Sequence, residues 1–119
     1  MHNFKELKIW QESMSLAKEI FALTRKFPTE EKYGLISQLN RAVVSVPSNI
    51  AEGAGRDSQK EFNQFLNISL GSCFEIETQL ILANEFNYIS KEELQTLTEK
   101  VTKIQKMICK LKDSIRQPS

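Results

Sequence analysis

The side chains best suited to chemistry follow one narrow polar stripe of a predicted helix. The stripe recurs at positions i, i+4, i+7 and i+11, which are Arg41, Ser45, Ser48 and Glu52. At about 100° per residue these positions share one face, roughly 130° from the apolar face of the same helix. Asn49 and Arg56 lie near its end. An arginine beside a core suits carboxylate recognition, because its planar guanidinium can donate two parallel hydrogen bonds.

A second polar stripe lies on the next predicted helix and consists of Ser72, Glu75 and Gln79. It is bracketed by apolar residues, namely Phe65, Ile68 and Leu82. A polar stripe enclosed in this way indicates a surface that meets a partner. Two interpretations stay open. Arg41 and Glu75 either pair within one bundle or are solvated, or Arg41 pairs with a carboxylate of another chain at a subunit interface.

Basic residues concentrate at the end of the chain, although the whole chain carries a net charge of only +1. Residues 100–119 hold six basic groups and one acidic group, whereas residues 1–99 carry a net charge of −4. Lys103, Lys106 and Lys110 share one helical face at i, i+3 and i+7. One interpretation is that this face is solvated and favoured by the negative end of the helix dipole. The alternative is that it contacts phosphate groups, in which case binding is sensitive to salt.

The sequence has few residues that are suited to catalysis or to metal binding. The only histidine is His2, so a serine has no histidine base and a di-iron site has no Glu-x-x-His pair. No glycine-rich phosphate-binding motif occurs either. We therefore expect no enzyme active site and no cofactor. Cys73 and Cys109 lie at positions that resemble core positions, and we expect both to be buried free thiols.

The sequence also predicts where the protein resides. No apolar run approaches the roughly 18 residues that a membrane-spanning helix needs. The N-terminal segment is charged and lacks the apolar core of a signal peptide. We therefore expect a cytoplasmic protein that has no membrane contact.

Four predicted helices position these side chains, over about residues 6–26, 32–54, 58–85 and 90–116. Glycine (4) and proline (3) are scarce, which favours long helices with short loops over an all-β fold. Ser58 and Glu61, like Ser90 and Glu93, have the spacing of a helix-starting capping box.

Apolar rows at helical spacing define the predicted core. The first helix carries a row of Leu7, Trp10, Met14, Ala17 and Phe21, extended by Leu16, Ile20, Leu23 and Phe27. The second helix carries Leu35, Leu39, Ala42, Val43, Val46 and Ile50. The third carries Phe62, Leu66, Ser69, Cys73, Ile76, Leu80 and Ala83. The fourth carries Leu94, Leu97, Val101, Ile104, Ile108, Leu111 and Ile115.

The second helix contains one proline and is followed by glycines. Pro47 lies inside the apolar pattern and predicts a bend, with a break in the helix as the alternative. Gly53 and Gly55 are expected to end this helix, since glycine readily takes the left-handed conformation.

The strict 3,4 spacing of the last two rows is typical of left-handed helix bundles. We therefore predict one all-α domain over residues 1–119, folded as an antiparallel up-down four-helix bundle with a left-handed twist. A dimeric coiled coil could use the same spacing. The short loops between consecutive helices instead favour antiparallel neighbours within one chain.

Four segments of the chain resemble the signatures of a known family, the four-helix-bundle proteins encoded in intervening sequences of 23S ribosomal RNA. The segments are residues 4–11, 34–42, 45–53 and 72–80, with Arg56, Ser58, Glu61 and Phe62 following the third. The third segment, SVPSNIAEG, is the most specific of the four. The resemblance extends from Phe4 to about Ile115 and is strong.

The resemblance implies a ring-like homopentamer of four-helix bundles whose biochemical role is not established. Its motif residues are Arg41, Ser48, Asn49, Glu52, Arg56, Glu61, Glu75 and Gln79. A related bundle, the accessory protein of diversity-generating retroelements, is a strongly basic pentamer that contacts a reverse transcriptase and nucleic acid. The nearly balanced charge of this chain departs from that pattern, which bears on nucleic-acid binding more than on assembly.

The sequence thus favours a non-enzymatic, oligomeric interaction protein whose partner is RNA or an RNA-handling protein. The alternative is a structural assembly module that binds other proteins and has no affinity for nucleic acid. The salt dependence of binding separates the two, since contacts to phosphate weaken steeply as salt rises.

Overall fold

A computed structural model of the chain describes residues 3–115 as four α-helices. Their bounds are Lys8–Thr24 (α1), Leu35–Ala54 (α2), Gln59–Glu85 (α3) and Lys91–Ile115 (α4). Short 3-10 turns precede α1 and α2, at Phe4–Glu6 and Thr29–Glu31, and no strand occurs among the described residues. The predicted all-α four-helix bundle is confirmed. His2 and Arg116, which entered the sequence argument, lie outside the described residues.

The helices pack side by side, each against the helices next to it in sequence, and α1 also contacts α4. The hydrogen bonds from Ser69 to Val46 and from Gln79 to Gln38 show that α2 and α3 run antiparallel. The contact between α2 and α3 is the most extensive, and the contact between α1 and α4 is the least extensive of the four. The left-handed twist of the bundle stays a prediction.

The rows of α2 and α3 are buried throughout, as their spacing predicts. In α4 the buried members of the predicted row are Leu97, Val101, Ile104, Ile108 and Ile115. Cys109 is exposed, so the prediction of two buried cysteines is wrong for this residue. Cys109 follows Ile108 directly, and one step along a helix turns a side chain by about 100° away from the buried row.

The core face of α1 differs from the predicted row that contains Phe21. Leu16, Ile20, Leu23 and Phe27 are buried, together with Ile9. Phe21 is 38% exposed, and the remaining members of its row are only partly buried. The prediction that both rows form one buried side is therefore wrong for Phe21, whereas Leu7, Trp10 and Ala17 are partly buried and pack against the core. At 100° per residue the centres of the two rows lie about 130° apart, so only the second row lies fully in the core.

The end of α2 differs from its prediction, and the end of α3 takes a left-handed residue. Helix α2 continues through Pro47, so a break at this proline is excluded. No glycine in residues 3–115 has a positive φ angle, and Gly55 ends α2 at φ −84°. A left-handed residue follows α3 instead, at Asn87 with φ 63°. The amide of Tyr88 donates to Ala83 and that of Asn87 to Asn84, which is the Schellman pattern.

The glycine at position 53 is explained by packing and not by backbone conformation. A Cβ atom added to Gly53 would lie 2.7 Å from Phe65 Cβ and 2.9 Å from Phe62 Cδ1. The missing side chain therefore lets the last turn of α2 approach the start of α3 closely.

Serine residues cap α3 and α4. The Ser90 amide donates to Glu93 Oε1 and the Glu93 amide donates to Ser90 Oγ, both at 3.0 Å, which completes the predicted capping box. At α3 the Glu61 amide donates to Ser58 Oγ, but Glu61 Oε1 accepts from the Ser58 hydroxyl and not from its backbone. The predicted capping box at Ser58 is thus only half formed.

Candidate interaction surfaces

The two predicted polar stripes meet in a shallow groove between α2 and α3. The groove has a volume of about 340 Å³ and is lined by Gln38, Arg41, Ala42, Ser45, Ser72 and Glu75. Arg41 and Glu75 are both exposed, and neither forms an ion pair within residues 3–115. The structure therefore brings these two residues to one groove without pairing them.

The bottom of this groove is held by a network of small polar side chains. The Ser72 hydroxyl donates to Ser45 Oγ at 2.9 Å across the two helices. Asn49 Nδ2 donates to the same oxygen at 3.0 Å and to the Ser45 carbonyl at 2.8 Å. Ser45 Oγ thus accepts two hydrogen bonds, which fixes its position between α2 and α3. Asn49, which the resemblance implies to be a motif residue, serves this local network, whereas Ser48 beside it is exposed.

Gln79 is buried but incompletely hydrogen-bonded. The residue is 7% exposed, and its Nε2 donates to Gln38 Oε1 over a long 3.4 Å. Its Oε1 atom has no hydrogen-bond partner among the described residues. A buried amide oxygen without a donor costs free energy unless a water or a partner group supplies one. Gln79 therefore joins α2 to α3 and leaves one acceptor unused.

Large apolar side chains are exposed along the outer surface of α3. Residues 3–115 expose eight of them, and five lie on α3 or at its C-cap: Ile68, Phe74, Ile81, Leu82 and Phe86. Their exposed fractions range from 37% to 54%. Val44 on the neighbouring α2 is 44% exposed. Apolar residues collected on one surface are typical of interaction sites in soluble proteins.

Three further residues that the resemblance implies to be motif residues make contacts at the turn from α2 to α3. An Arg56 guanidinium nitrogen lies 2.8 Å from Glu52 Oε1, and the other lies 3.9 Å from Glu61 Oε2. The same guanidinium lies over the Phe65 ring at 4.9 Å from its centroid. These contacts join the end of one helix to the start of the next, so they position the turn.

The three lysines singled out on α4 line one surface groove of about 490 Å³. The remaining lining residues are Thr98, Glu99, Thr102 and Met107. Lys106 and Lys110 are exposed and form no ion pair within residues 3–115. Lys103 Nζ lies 3.3 Å from Glu12 Oε1 on α1, so part of its charge is neutralised within the chain. The groove is therefore basic mainly at one end.

Ion pairs join α4 to α1 and to a residue just after α1, and the sequence did not predict them. Lys26 pairs with Glu93 at 2.9 Å, Lys100 pairs with Glu19, and Lys103 pairs with Glu12. Later residues of α4 pair with earlier residues of the chain, so α1 and α4 run antiparallel. The sequence shows opposite charges on the two helices. These charges can be assigned to pairs only once it is known which faces of α1 and α4 are in contact.

The two cysteines have different environments. Burial raises the pKa of the Cys73 thiol to about 12, because the interior disfavours a thiolate. Cys109 is exposed on α4. No group of three or more histidine, cysteine, aspartate or glutamate residues within residues 3–115 could hold a metal ion. None of the described helices is both long enough and apolar enough to cross a membrane.

These features define a class of protein: a small helical bundle with a polar groove, exposed apolar side chains on α3 and a partly basic last helix. A family model described as 23S rRNA-intervening sequence protein matches residues 5–110. The chain belongs to this family, as the resemblance of its sequence motifs predicts.

A similar solved structure supports the same assignment. It is a crystal structure of a protein of unknown function from the S23 ribosomal protein family of Bacteroides thetaiotaomicron. The two proteins share 26% sequence identity with a TM-score of 0.82, over 88% of this chain and 95% of that one. No curated protein matches the chain in sequence.

Proposed function

We propose that the protein is a non-enzymatic assembly module whose copies associate through the outer surface of α2 and α3. The observation that carries this proposal is the set of exposed apolar side chains on α3, of which Ile68, Phe74 and Phe86 are each at least half exposed. Burial of such side chains against another copy would remove apolar area from water, which is the main driving force of association.

Polar residues in the adjoining groove supply specificity to this association. Arg41 is exposed and has no carboxylate partner within residues 3–115, although Glu75 lines the same groove. In the assembly Arg41 pairs with a carboxylate of another copy, where its planar guanidinium donates two hydrogen bonds. The assembly is a closed ring, and the family resemblance implies five copies. Closed symmetry satisfies every interface in the ring.

Sedimentation velocity over a dilution series tests self-association directly. The wild-type chain should sediment as an oligomer, and Arg41→Ala should raise the dissociation constant by about tenfold or more, since it leaves a partner carboxylate unpaired. Arg25→Ala is the matched control, because Arg25 is also exposed and forms no ion pair within residues 3–115. A wild-type chain that stays monomeric, or an unchanged Arg41→Ala oligomer, sinks the proposal.

A second candidate function is RNA binding by the basic groove of α4. Lys106 and Lys110 are exposed and unpaired within the described residues, and Lys103 adjoins them. Lysine ammonium groups attract phosphate regardless of base sequence. One patch is small, but a ring would multiply it, because linked sites raise the effective concentration. The names of the family and of the similar structure refer to ribosomal RNA and ribosomal proteins, which favours RNA as the polyanion.

A titration of fluorescent structured RNA at low and at physiological salt tests this second function. Binding should weaken steeply with salt and should be lost in the double variant Lys106→Glu with Lys110→Glu. The control is Lys8→Glu with Lys18→Glu, which changes the net charge equally at two exposed positions of α1. Absence of binding at low salt, or equal losses in both double variants, contradicts RNA recognition by α4 and leaves assembly as the function.

A further inference from the structure

Gly71 lies in the middle of α3, where the chain itself gives no reason for a glycine. The helix spans Gln59–Glu85, and Gly71 is exposed on its outer surface. A Cβ atom added there would meet nothing within 4 Å. Glycine is among the least favourable residues inside a helix, because it loses the most conformational freedom on folding. A glycine at an open, regular helical position is therefore unexplained by the isolated bundle.

Two other glycines of the chain show what such a residue does here. A Cβ atom at Gly53 would lie 2.7 Å from Phe65 Cβ, and one at Gly34 would lie 2.7 Å from Glu31 Oε1. Both glycines thus accommodate a close neighbour within the chain. Gly71 is also a helical glycine, but it is exposed and has no such neighbour in the single chain.

The residues around Gly71 have the character of an interface. Ile68 and Phe74, three positions before and after it, are 50% and 53% exposed. Glu75, four positions after it, is exposed and has no ion pair within residues 3–115. Residues three and four apart on a helix are surface neighbours. Gly71 is therefore a flat site between two apolar side chains, next to a free carboxylate.

We propose that Gly71 is the point at which α3 approaches a helix of a second copy of this chain most closely. This inference rests on the proposed self-association and identifies its contact point. The distance between packed helices depends on the side chains at the crossing, and a glycine permits the shortest approach. Ile68 and Phe74 then pack on either side of the crossing helix.

A second copy is the occupant that the charges favour. The groove beside this surface carries one unpaired cation, Arg41, and one unpaired anion, Glu75, within the described residues. A surface that holds both signs can pair with opposite charges on the neighbouring copy of a ring without leaving a net charge buried. A polyanion or a strongly charged protein would leave one of the two unmatched.

The variant Gly71→Ala separates an interface role from a purely internal one, because its two effects should have opposite signs. The added methyl group enters open space in the single chain and favours the helix, so the thermal midpoint at the lowest protein concentrations should rise by a few degrees. The same methyl group would enter the helix crossing, so the dissociation constant of the assembly should rise about tenfold or more. Thermal unfolding and sedimentation velocity over one dilution series measure both effects.

Thr96→Ala is the matched control, since Thr96 is exposed on α4 and the change also raises helix propensity. It should raise the thermal midpoint and leave the dissociation constant unchanged. A Gly71→Ala chain that is stabilised and assembles as well as the wild type overturns the inference and leaves self-association standing. A wild-type chain that is monomeric throughout the series overturns the proposed function, and this inference with it.

Discussion

The Tyr88 hydroxyl donates a hydrogen bond of 2.7 Å to Glu31 Oε2 and so joins the α1–α2 connection to the α3–α4 connection. The other oxygen of Glu31 accepts from the Leu35 amide at 3.1 Å and caps the first turn of α2. The Tyr88 ring also packs on Phe27 with centroids 5.4 Å apart. One carboxylate therefore caps a helix and holds the two connections together at the same end of the bundle.

This contact predicts a pH-dependent contribution to stability. The hydrogen bonds from Tyr88 and then from Leu35 lower the pKa of Glu31 below its ordinary value of 4.5. A lowered pKa in the folded state stabilises the fold above the unfolded-state pKa, and this contribution is lost as pH falls through the folded-state value. Tyr88→Phe keeps the ring, so it should destabilise the protein near neutral pH and progressively less below about pH 4.5.

Urea unfolding at several pH values measures that difference. Tyr33→Phe is the control, because Tyr33 is 88% exposed and forms no hydrogen bond through its hydroxyl within residues 3–115. A Tyr88→Phe difference that is the same at neutral and acidic pH would rule out the carboxylate as its cause.

The two cysteines should react at very different rates with a maleimide. Cys109 is exposed, whereas Cys73 is buried and burial raises its pKa to about 12. Since the thiolate is the reactive form, Cys73 should be protected both by its pKa and by the core. Mass spectrometry should find one modified thiol in the native protein and two in denaturant. Cys109→Ser should abolish the native reaction and Cys73→Ser should not. Equal rates at both sites would contradict the placement of Cys73.

Gly53→Ala should destabilise the bundle by about 1–3 kcal/mol, the usual range for overpacking. The added Cβ atom would lie 2.7 Å from Phe65 Cβ, an atom next to the backbone that cannot move without α3. Gly55→Ala provides the comparison, since its nearest contact is an ordinary 3.6 Å and its φ of −84° suits alanine. That variant should change the free energy of unfolding by less than about 0.5 kcal/mol. Equal urea midpoints for the two variants would argue against the close approach.

Asn87 should tolerate glycine better than alanine. Its φ of 63° lies in the left-handed region, where an ordinary side chain costs roughly 1–2 kcal/mol. Asn87→Ala should therefore lower the free energy of unfolding by about 1 kcal/mol, whereas Asn87→Gly should be close to neutral. Chemical denaturation of both variants measures the difference. A greater loss with glycine would show that the end of α3 does not depend on the left-handed turn.

The helices and most of their buried faces were predictable because helical periodicity is local. The rows of α2 and α3 are buried throughout, since a residue of a 3,4 row returns to the same face at each turn. The buried face of α1 was predicted less well for the same reason. Two rows of similar hydrophobicity lie side by side on that helix, and periodicity cannot tell which one faces the other helices.

The candidate surfaces were predictable in composition but not in pairing. The sequence placed Arg41 and Glu75 on two polar stripes, and the structure brings both stripes to one groove. The partners of Lys100 and Lys103 on α1 were not predictable, because residues about 80 and 90 positions apart in sequence must first be brought together. The importance of Gly71 could not be predicted from the sequence either, because it depends on the open space around this residue.

Local sequence signals were sufficient to predict the four helices, their order, the apolar rows of α2 and α3, and the family. These properties follow from local periodicity, capping and short motifs, each of which lies within a few turns of chain. The folded chain was needed to show that Cys109 is exposed, that Gly53 accommodates α3, and that Glu12 and Glu19 pair with lysines of α4. Those outcomes depend on which faces of distant helices meet, and helix packing alone sets that relationship.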